Sequence, residues 1–176
     1  MSNFKAKLHK IKAFAFDVDG VFTDGQVLAT ETGDLLRSHN AKDGYAVRVA
    51  LLKKFPVAII TGGSSESIPL RFMQIGVPRE DIYLKSILKM PDFEHFLDKY
   101  NLSPDEVLYM GDDIPDIVIL KECGIATCPS DAVTEVKEIC HYISIQGGGK
   151  GCVRDVIEQT LKVHGLWADS YEAYSG

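Results

Sequence analysis

Short runs of uninterrupted apolar residues recur along the chain, with helical spacing between them, and this alternation limits the fold more than any other feature. Ala13-Phe14-Ala15-Phe16 closes a predicted strand over 11–16 that is broken only by Lys12, and Val57-Ala58-Ile59-Ile60, Ile82-Tyr83-Leu84, Val107-Leu108-Tyr109-Met110 and Gly124-Ile125-Ala126-Thr127 follow. Runs that are apolar throughout, without polar residues at every second place, belong to strands covered on both faces, as in a parallel sheet between helical layers. Helices are predicted between them, over 43–54, 64–76, 89–100, 115–122, 132–139 and 152–163, with a short sixth strand at Tyr142-Ile143. Strand then helix, repeated with right-handed crossovers, gives an α/β fold: a Rossmann-like, doubly wound parallel sheet.

Local signals set the boundaries. Strands over 26–29 and 35–39 flank Thr32-Gly33-Asp34 and predict a β-hairpin inserted after the first strand. Asp43 reads as the N-cap of the next helix, Ser64 to Ser67 can cap a helix carrying Pro69 in a first turn where a missing N–H is tolerated, and Gly76 stops that helix. Ser103-Pro104-Asp105-Glu106 spells a capping box. At 176 residues and 45% hydrophobic content, the chain is expected to form one domain, with a hairpin flap over about 25–40 and a loose tail over about 165–176.

Composition removes several classes of function. A formal net charge of −6 argues against nucleic acid as a partner, because such proteins carry basic stripes or patches. No apolar run approaches the roughly 18 residues a membrane helix needs, and residues 1–10 are polar and basic without an apolar signal core, so a cytoplasmic protein is expected. Cys123, Cys128, Cys140 and Cys152 form no C-x-x-C pair and read as small buried hydrophobes.

The chemistry sits at two strand ends. Asp17-Val18-Asp19-Gly20 follows the first strand, and Gly111-Asp112-Asp113-Ile114-Pro115-Asp116 follows the strand over 107–110. In an open parallel sheet ligands bind outside the carboxyl ends of the strands, so these acidic corners are expected to meet. Carboxylates crowded in this way repel one another unless a cation intervenes. An all-oxygen, water-accessible site suits Mg²⁺ better than zinc or copper. Two further strand ends carry Thr61-Gly62-Gly63, a hydroxyl with glycine N–H groups suited to phosphate, and Lys89, with Lys85 nearby as a competitor.

These four corners, in this order, resemble the haloacid dehalogenase superfamily of phosphohydrolases over essentially the whole chain. The resemblance implies an aspartyl-phosphate mechanism: Asp17 attacks phosphorus, and Asp19 acts as acid and base. Mg²⁺ would be held by Asp17, Asp112 and the main-chain carbonyl of Asp19. Asp113 would orient metal-bound water, Asp116 would hold Lys89, and Thr61, Gly62 and Lys89 would bind the phosphoryl oxygens. Asp19 would need acidic neighbours to raise its affinity for a proton.

Too few residues separate the motifs for a cap domain. Asp17-Val18-Asp19-Gly20-Val21-Phe22-Thr23-Asp24-Gly25, the hairpin and Asn40-Ala41-Lys42-Asp43-Gly44 look like the capless 3-deoxy-D-manno-octulosonate 8-phosphate (KDO 8-phosphate) phosphatases, as do Gly147-Gly148-Gly149-Lys150-Gly151 and Arg154. That family implies a role in lipopolysaccharide biosynthesis and a homotetramer in which hairpins pack together and a neighbouring subunit closes each site. One position departs from its pattern: Gly63 stands where an arginine often reaches for the sugar carboxylate. Lys42, Arg71 or Arg48 would have to replace it. Nonulosonate 9-phosphates are the alternative substrate, and a non-catalytic scaffold is the alternative of another class.

Overall fold

The computed structural model describes residues 4–168. Eight strands and seven helices follow in the order α1 (Phe4–Lys7), β1 (Ala13–Phe16), β2 (Leu28–Ala29), β3 (Leu35–Leu36), α2 (Ala41–Leu52), β4 (Val57–Ile60), α3 (Ser67–Gln74), β5 (Ile82–Tyr83), α4 (Lys89–Tyr100), β6 (Val107–Met110), α5 (Ile117–Leu120), β7 (Ile125–Cys128), α6 (Thr134–Ile139), β8 (Tyr142–Ile143) and α7 (Cys152–Val163). Six strands pair in parallel in the order β5-β4-β1-β6-β7-β8, while β2 and β3 form the separate antiparallel hairpin. The chain runs outward from β1 through β4 to β5, then returns to the other side of β1 as β6. The strand order therefore reverses between β1 and β6, the switch point at which such sheets open a crevice.

Both faces of the sheet are buried, as the apolar runs require. Phe14 and Phe16 of β1 point into one core with Val47 and Ala50 of α2 and Val153, Val156 and Ile157 of α7. Ala13 and Ala15 point into the other, where their small side chains leave room for Phe93, Phe96 and Tyr109. Tyr109 and the two α4 phenylalanines are fully buried. Dense packing of this kind leaves the crevice walls little freedom to move.

Several boundaries differ from expectation, each for a local reason. Asn40, not Asp43, caps α2, with its side chain accepting the Lys42 N–H. Asp43 is fully buried and instead accepts the Arg154 N–H at 2.8 Å, capping α7 from across the α2–α7 contact. No serine caps α3: Ser65 and Ser67 bond one another through their hydroxyls, and Glu66 occupies the cap position. The helix expected over 115–122 is split into a 3₁₀ turn, Ile114–Asp116, and the short α5. The first residues of the expected tail are packed against the domain. Leu166 donates its N–H to Leu161 O at 2.8 Å and rests on the core with Trp167. The rest of the expected tail, including Tyr171 and Tyr174, lies outside the described residues.

Candidate active site

The crevice is assembled by the register of the central strands. Phe16 pairs with Met110, and the Asp17 N–H donates to Met110 O at 3.0 Å, so the two acidic loops leave the sheet side by side. Gly20 follows with φ +86°, and a Cβ there would overlap the Asp112 carboxylate at 2.0 Å, so only glycine allows the loops to approach this closely. The glycine-rich segment braces the same turn. Gly149 donates to Val21 O at 2.9 Å, and a Cβ on Gly148 would stand 2.1 Å from Gly20 O.

One carboxylate oxygen from each of Asp17, Asp112 and Asp116 lies within 4.8 Å of the others. The three are not equivalent. Asp116 Oδ1 accepts from Lys89 Nζ and Tyr109 Oη, each at 2.6 Å, and its Oδ2 accepts the N–H groups of Asp112 and Asp113 at 3.1 and 3.2 Å. Four donors fill the lone pairs of one carboxylate, so Asp116 fastens Lys89 and closes the loop instead of offering a ligand. Asp17 Oδ1 lies 3.0 Å from Lys89 Nζ. Asp112 Oδ1 is buried without a hydrogen-bond partner among the described residues, a costly state unless something binds it.

The electrostatics agree with the geometry. Burial, aided by Asp116 and opposed by Lys89, pushes the Asp17 carboxyl up from 3.8 to about 7. Burial also pushes Asp112 up, to about 8, with repulsion from Asp17, Asp116 and Asp113 added. Burial pulls the Lys89 ammonium down, but Asp17 and Asp116 together outweigh it and leave it raised. Without a cation, neutral pH thus leaves two carboxyls close to protonation beside an unsatisfied oxygen. The donor set fits a hard divalent cation on Asp17 and Asp112.

A cavity of about 450 Å³ takes in the acidic loops together with Thr61, Gly62, Gly63, Ser86 and Lys89. Thr61, at the end of β4, is buried, and its Oγ1 accepts the Gly63 N–H at 3.1 Å, which leaves its hydroxyl proton for a phosphoryl oxygen. Lys89 opens α4 with its side chain 4% exposed, whereas Lys85 faces solvent in a left-handed turn, so Lys89 is the lysine that meets the carboxylates. Asp113 stands at the rim, where its Oδ1 accepts the Ile114 N–H at 2.7 Å.

The substitutes considered for the absent arginine lie elsewhere. Lys42 lines a different groove with Lys150, Arg154 and Lys162, in which acidic Asp155 and Glu158 are interspersed. That groove, about 520 Å³, is the larger of the two but has no converging buried groups to do chemistry. Arg71 lies on the seam between α3 and α2, so close to Gly44 that a Cβ there would meet Nη2 at 2.9 Å. Arg48 lines a third depression with Leu51 and Met73. In this chain none of the three borders the acidic cavity.

Three residues of the site escaped the sequence. Tyr109 reads as a core strand residue, and only its hydroxyl, bonded to Asp116, marks it out. Ser86 lines the cavity with a buried Oγ that has no partner among the described residues. Arg37, just after β3, grips Asp19 with Nε to Oδ1 at 2.7 Å and Nη2 to Oδ2 at 2.9 Å. Asp19 was expected to face acidic neighbours; its charged partner is this cation, because the hairpin folds back over the first strand end.

Comparison with known proteins gives one answer. The family of haloacid dehalogenase-like hydrolases matches residues 57–150. The 3-deoxy-D-manno-octulosonate 8-phosphate phosphatase of Escherichia coli K12 is 32% identical over 160 residues, 91% of this chain and 84% of that protein. The Yersinia pestis phosphatase of the same name superposes with a TM-score of 0.90 at 27% identity, covering 94% of this chain and 88% of that one. The Moraxella catarrhalis phosphatase, solved with a magnesium ion, a phosphate ion and KDO, superposes with a TM-score of 0.88 at 29% identity, covering 93% of this chain and 92% of that one. With two acidic strand ends meeting at the switch point of a capless parallel sheet, the chain belongs to the haloacid dehalogenase-like hydrolases, in the family of the 3-deoxy-D-manno-octulosonate 8-phosphate phosphatases.

Proposed function

We propose that this protein is a Mg²⁺-dependent phosphatase that hydrolyses 3-deoxy-D-manno-octulosonate 8-phosphate to the free sugar acid and phosphate, as a step of lipopolysaccharide biosynthesis. One observation carries the reading: Asp17, Asp112 and Lys89 converge at the switch point, with a buried Asp112 oxygen lacking a partner among the described residues. Asp17 and Asp112 would hold the metal, joined by the Asp19 main-chain carbonyl. When bound, the ion supplies positive charge against the phosphate dianion and orients it.

The chain's own residues perform the rest. Thr61, the Gly62 backbone and Lys89 hold the non-bridging oxygens, so that Asp17 is aimed at phosphorus in line with the leaving oxygen. Asp17 forms the P–O bond of an aspartyl-phosphate as the ester bond breaks, and Asp19 gives the leaving alkoxide a proton. Asp19 then takes a proton from the water that attacks the acyl phosphate, releasing phosphate and restoring Asp17. Asp116 keeps Lys89 in position throughout, and Asp113 orients water at the rim.

The whole site is carried by one domain, which acts in the cytoplasm; among the described residues no helix is long and apolar enough to cross a membrane. The protein works as a homotetramer, with a neighbour covering the open crevice. Support comes from apolar residues left in solvent on the hairpin, Leu28 at 66% and Leu36 at 50% exposure, and at the cavity mouth, Ile87 at 81%.

The test compares hydrolysis of the octulosonate 8-phosphate, a nonulosonate 9-phosphate and a phosphopeptide, with Mg²⁺ or with chelator. We expect the octulosonate to lead the nonulosonate by at least about tenfold in kcat/KM, with turnover lost in chelator. Equal, feeble rates on all three would sink the substrate assignment, and a lead for the nonulosonate would establish the alternative substrate.

A further inference from the structure

Arg37 belongs to no motif of the site, yet the fold delivers it there. Its side chain is only 5% exposed, and its guanidinium is held in a two-pronged pair with Asp19. The same Nη2 lies 3.7 Å from the position a Cβ on Gly63 would occupy. Ile68 Cδ1 and Thr61 Oγ1 close in on the same position, at 2.7 and 3.3 Å, so the second motif has no side chain of its own there but adjoins a guanidinium that arrives from the hairpin.

We infer that Arg37 is the residue that recognises the carboxylate of the substrate, and that in the free protein the Asp19 carboxylate occupies its fork in the substrate's place. The inference rests on the reading of the substrate as a phosphorylated sugar acid. A planar guanidinium binds one carboxylate as well as another, through two parallel N–H···O bonds, so the exchange keeps Arg37 paired and releases Asp19. Some such cation is needed. Five carboxylates line the cavity, and Lys89, the cation among its lining residues, is already engaged by Asp17 and Asp116. An acid with a second negative group would otherwise enter against repulsion alone.

The exchange also ties recognition to the chemical step. While gripped by Arg37, both oxygens of Asp19 are engaged by the guanidinium. Once the substrate's carboxylate takes the fork, Asp19 is free to hold and deliver the proton that oxygen needs. A phosphate ester without a carboxylate leaves Asp19 tied, so selectivity resides in turnover as well as in binding.

The experiment measures kcat and KM of the wild type, Arg37→Ala and Arg37→Lys on the octulosonate 8-phosphate and on D-arabinose 5-phosphate, a primary phosphate ester with no carboxylate. Arg37→Ala is expected to lose about 100-fold in kcat/KM on the octulosonate, with KM raised, and to lose at least about tenfold less than that on arabinose 5-phosphate. Arg37→Lys, which keeps the charge without the fork, should fall between wild type and Arg37→Ala, and it carries the same comparison should the alanine variant not fold. An equal loss on both substrates reduces Arg37 to a positioning residue for Asp19 and overturns the inference, as does no loss on either. A wild type inactive on the octulosonate overturns the substrate reading itself, and this inference with it.

Discussion

The acidic crevice and the hairpin lie against one another but are built on opposite principles. In the crevice the charged groups are fixed by dense contacts, with one Asp112 oxygen left open: Asp116 binds four donors, and Lys89 lies buried between two carboxylates. The hairpin has two strands of two residues each and leaves Leu28 and Leu36 largely in solvent, and Arg37 ties it to the crevice. A reacting centre needs preorganised charge, which only dense packing supplies. A recognition edge can be lightly held, because the substrate or a neighbouring subunit completes it. Rigidity and incompleteness are thus divided between the two regions.

The sharpest way to break this contrast is to attack the crevice. Asp17→Asn should cost about 10⁴-fold or more in turnover while leaving the circular dichroism spectrum unchanged, and substantial activity in the purified variant would remove Asp17 from its role. Asp116→Ala should cost both activity and stability, because it strands the Lys89 ammonium and the Tyr109 hydroxyl in the interior. Urea unfolding should report a loss of about 3–5 kcal/mol, and a loss below 1 kcal/mol would contradict the proposed fastening.

Protons and metal test the same region more gently. Asp17 at about 7 and Asp112 at about 8, both raised from 3.8, mean that the metal-free folded state binds more protons than the unfolded chain between these values. Its stability should therefore fall as pH rises from about 5 to 8, and Mg²⁺ should restore it at the upper end. Melting curves in chelator and in Mg²⁺ check the sign, and a metal-free melting temperature that rises over this window would refute it.

The hairpin should behave differently. Leu28→Asp with Leu36→Asp should leave the subunit's fold stable to within about 0.5 kcal/mol, yet reduce the mass found by size exclusion with light scattering. An unchanged mass would remove the hairpin from the assembly. A purely local effect is expected away from both regions. Asp43→Ala uncaps α7 and should cost about 1–2 kcal/mol in urea unfolding, and Asp43→Asn, which keeps an acceptor for the Arg154 N–H, should recover much of it.

Much of the crevice was legible because its parts follow strands. Asp17, Thr61 and Asp112 are recognisable from an apolar run that ends in polar or glycine-rich residues, and a parallel sheet brings all such ends to one edge. Lys89 was legible as the start of a helix, although only burial separates it from Lys85. Arg37, Ser86 and Tyr109 carried no such mark. The first two lie in loops whose path depends on what they fold against, and the third is one residue of a strand apolar enough to need no other explanation. Asp43 shows the reverse error: a residue type suited to capping was recognised, but the helix it caps lies more than a hundred residues away.

The order and type of the elements, the meeting of the two acidic loops and the chemistry they can support are determined by the sequence alone, since hydrophobic periodicity and strand direction are local properties that propagate to the sheet edge. The tertiary structure decided which carboxylates are saturated and which is left open, and which cation faces Asp19. Those outcomes depend on distances between segments remote along the chain, and a difference of one or two ångströms separates a hydrogen-bonded carboxylate from an orphaned one.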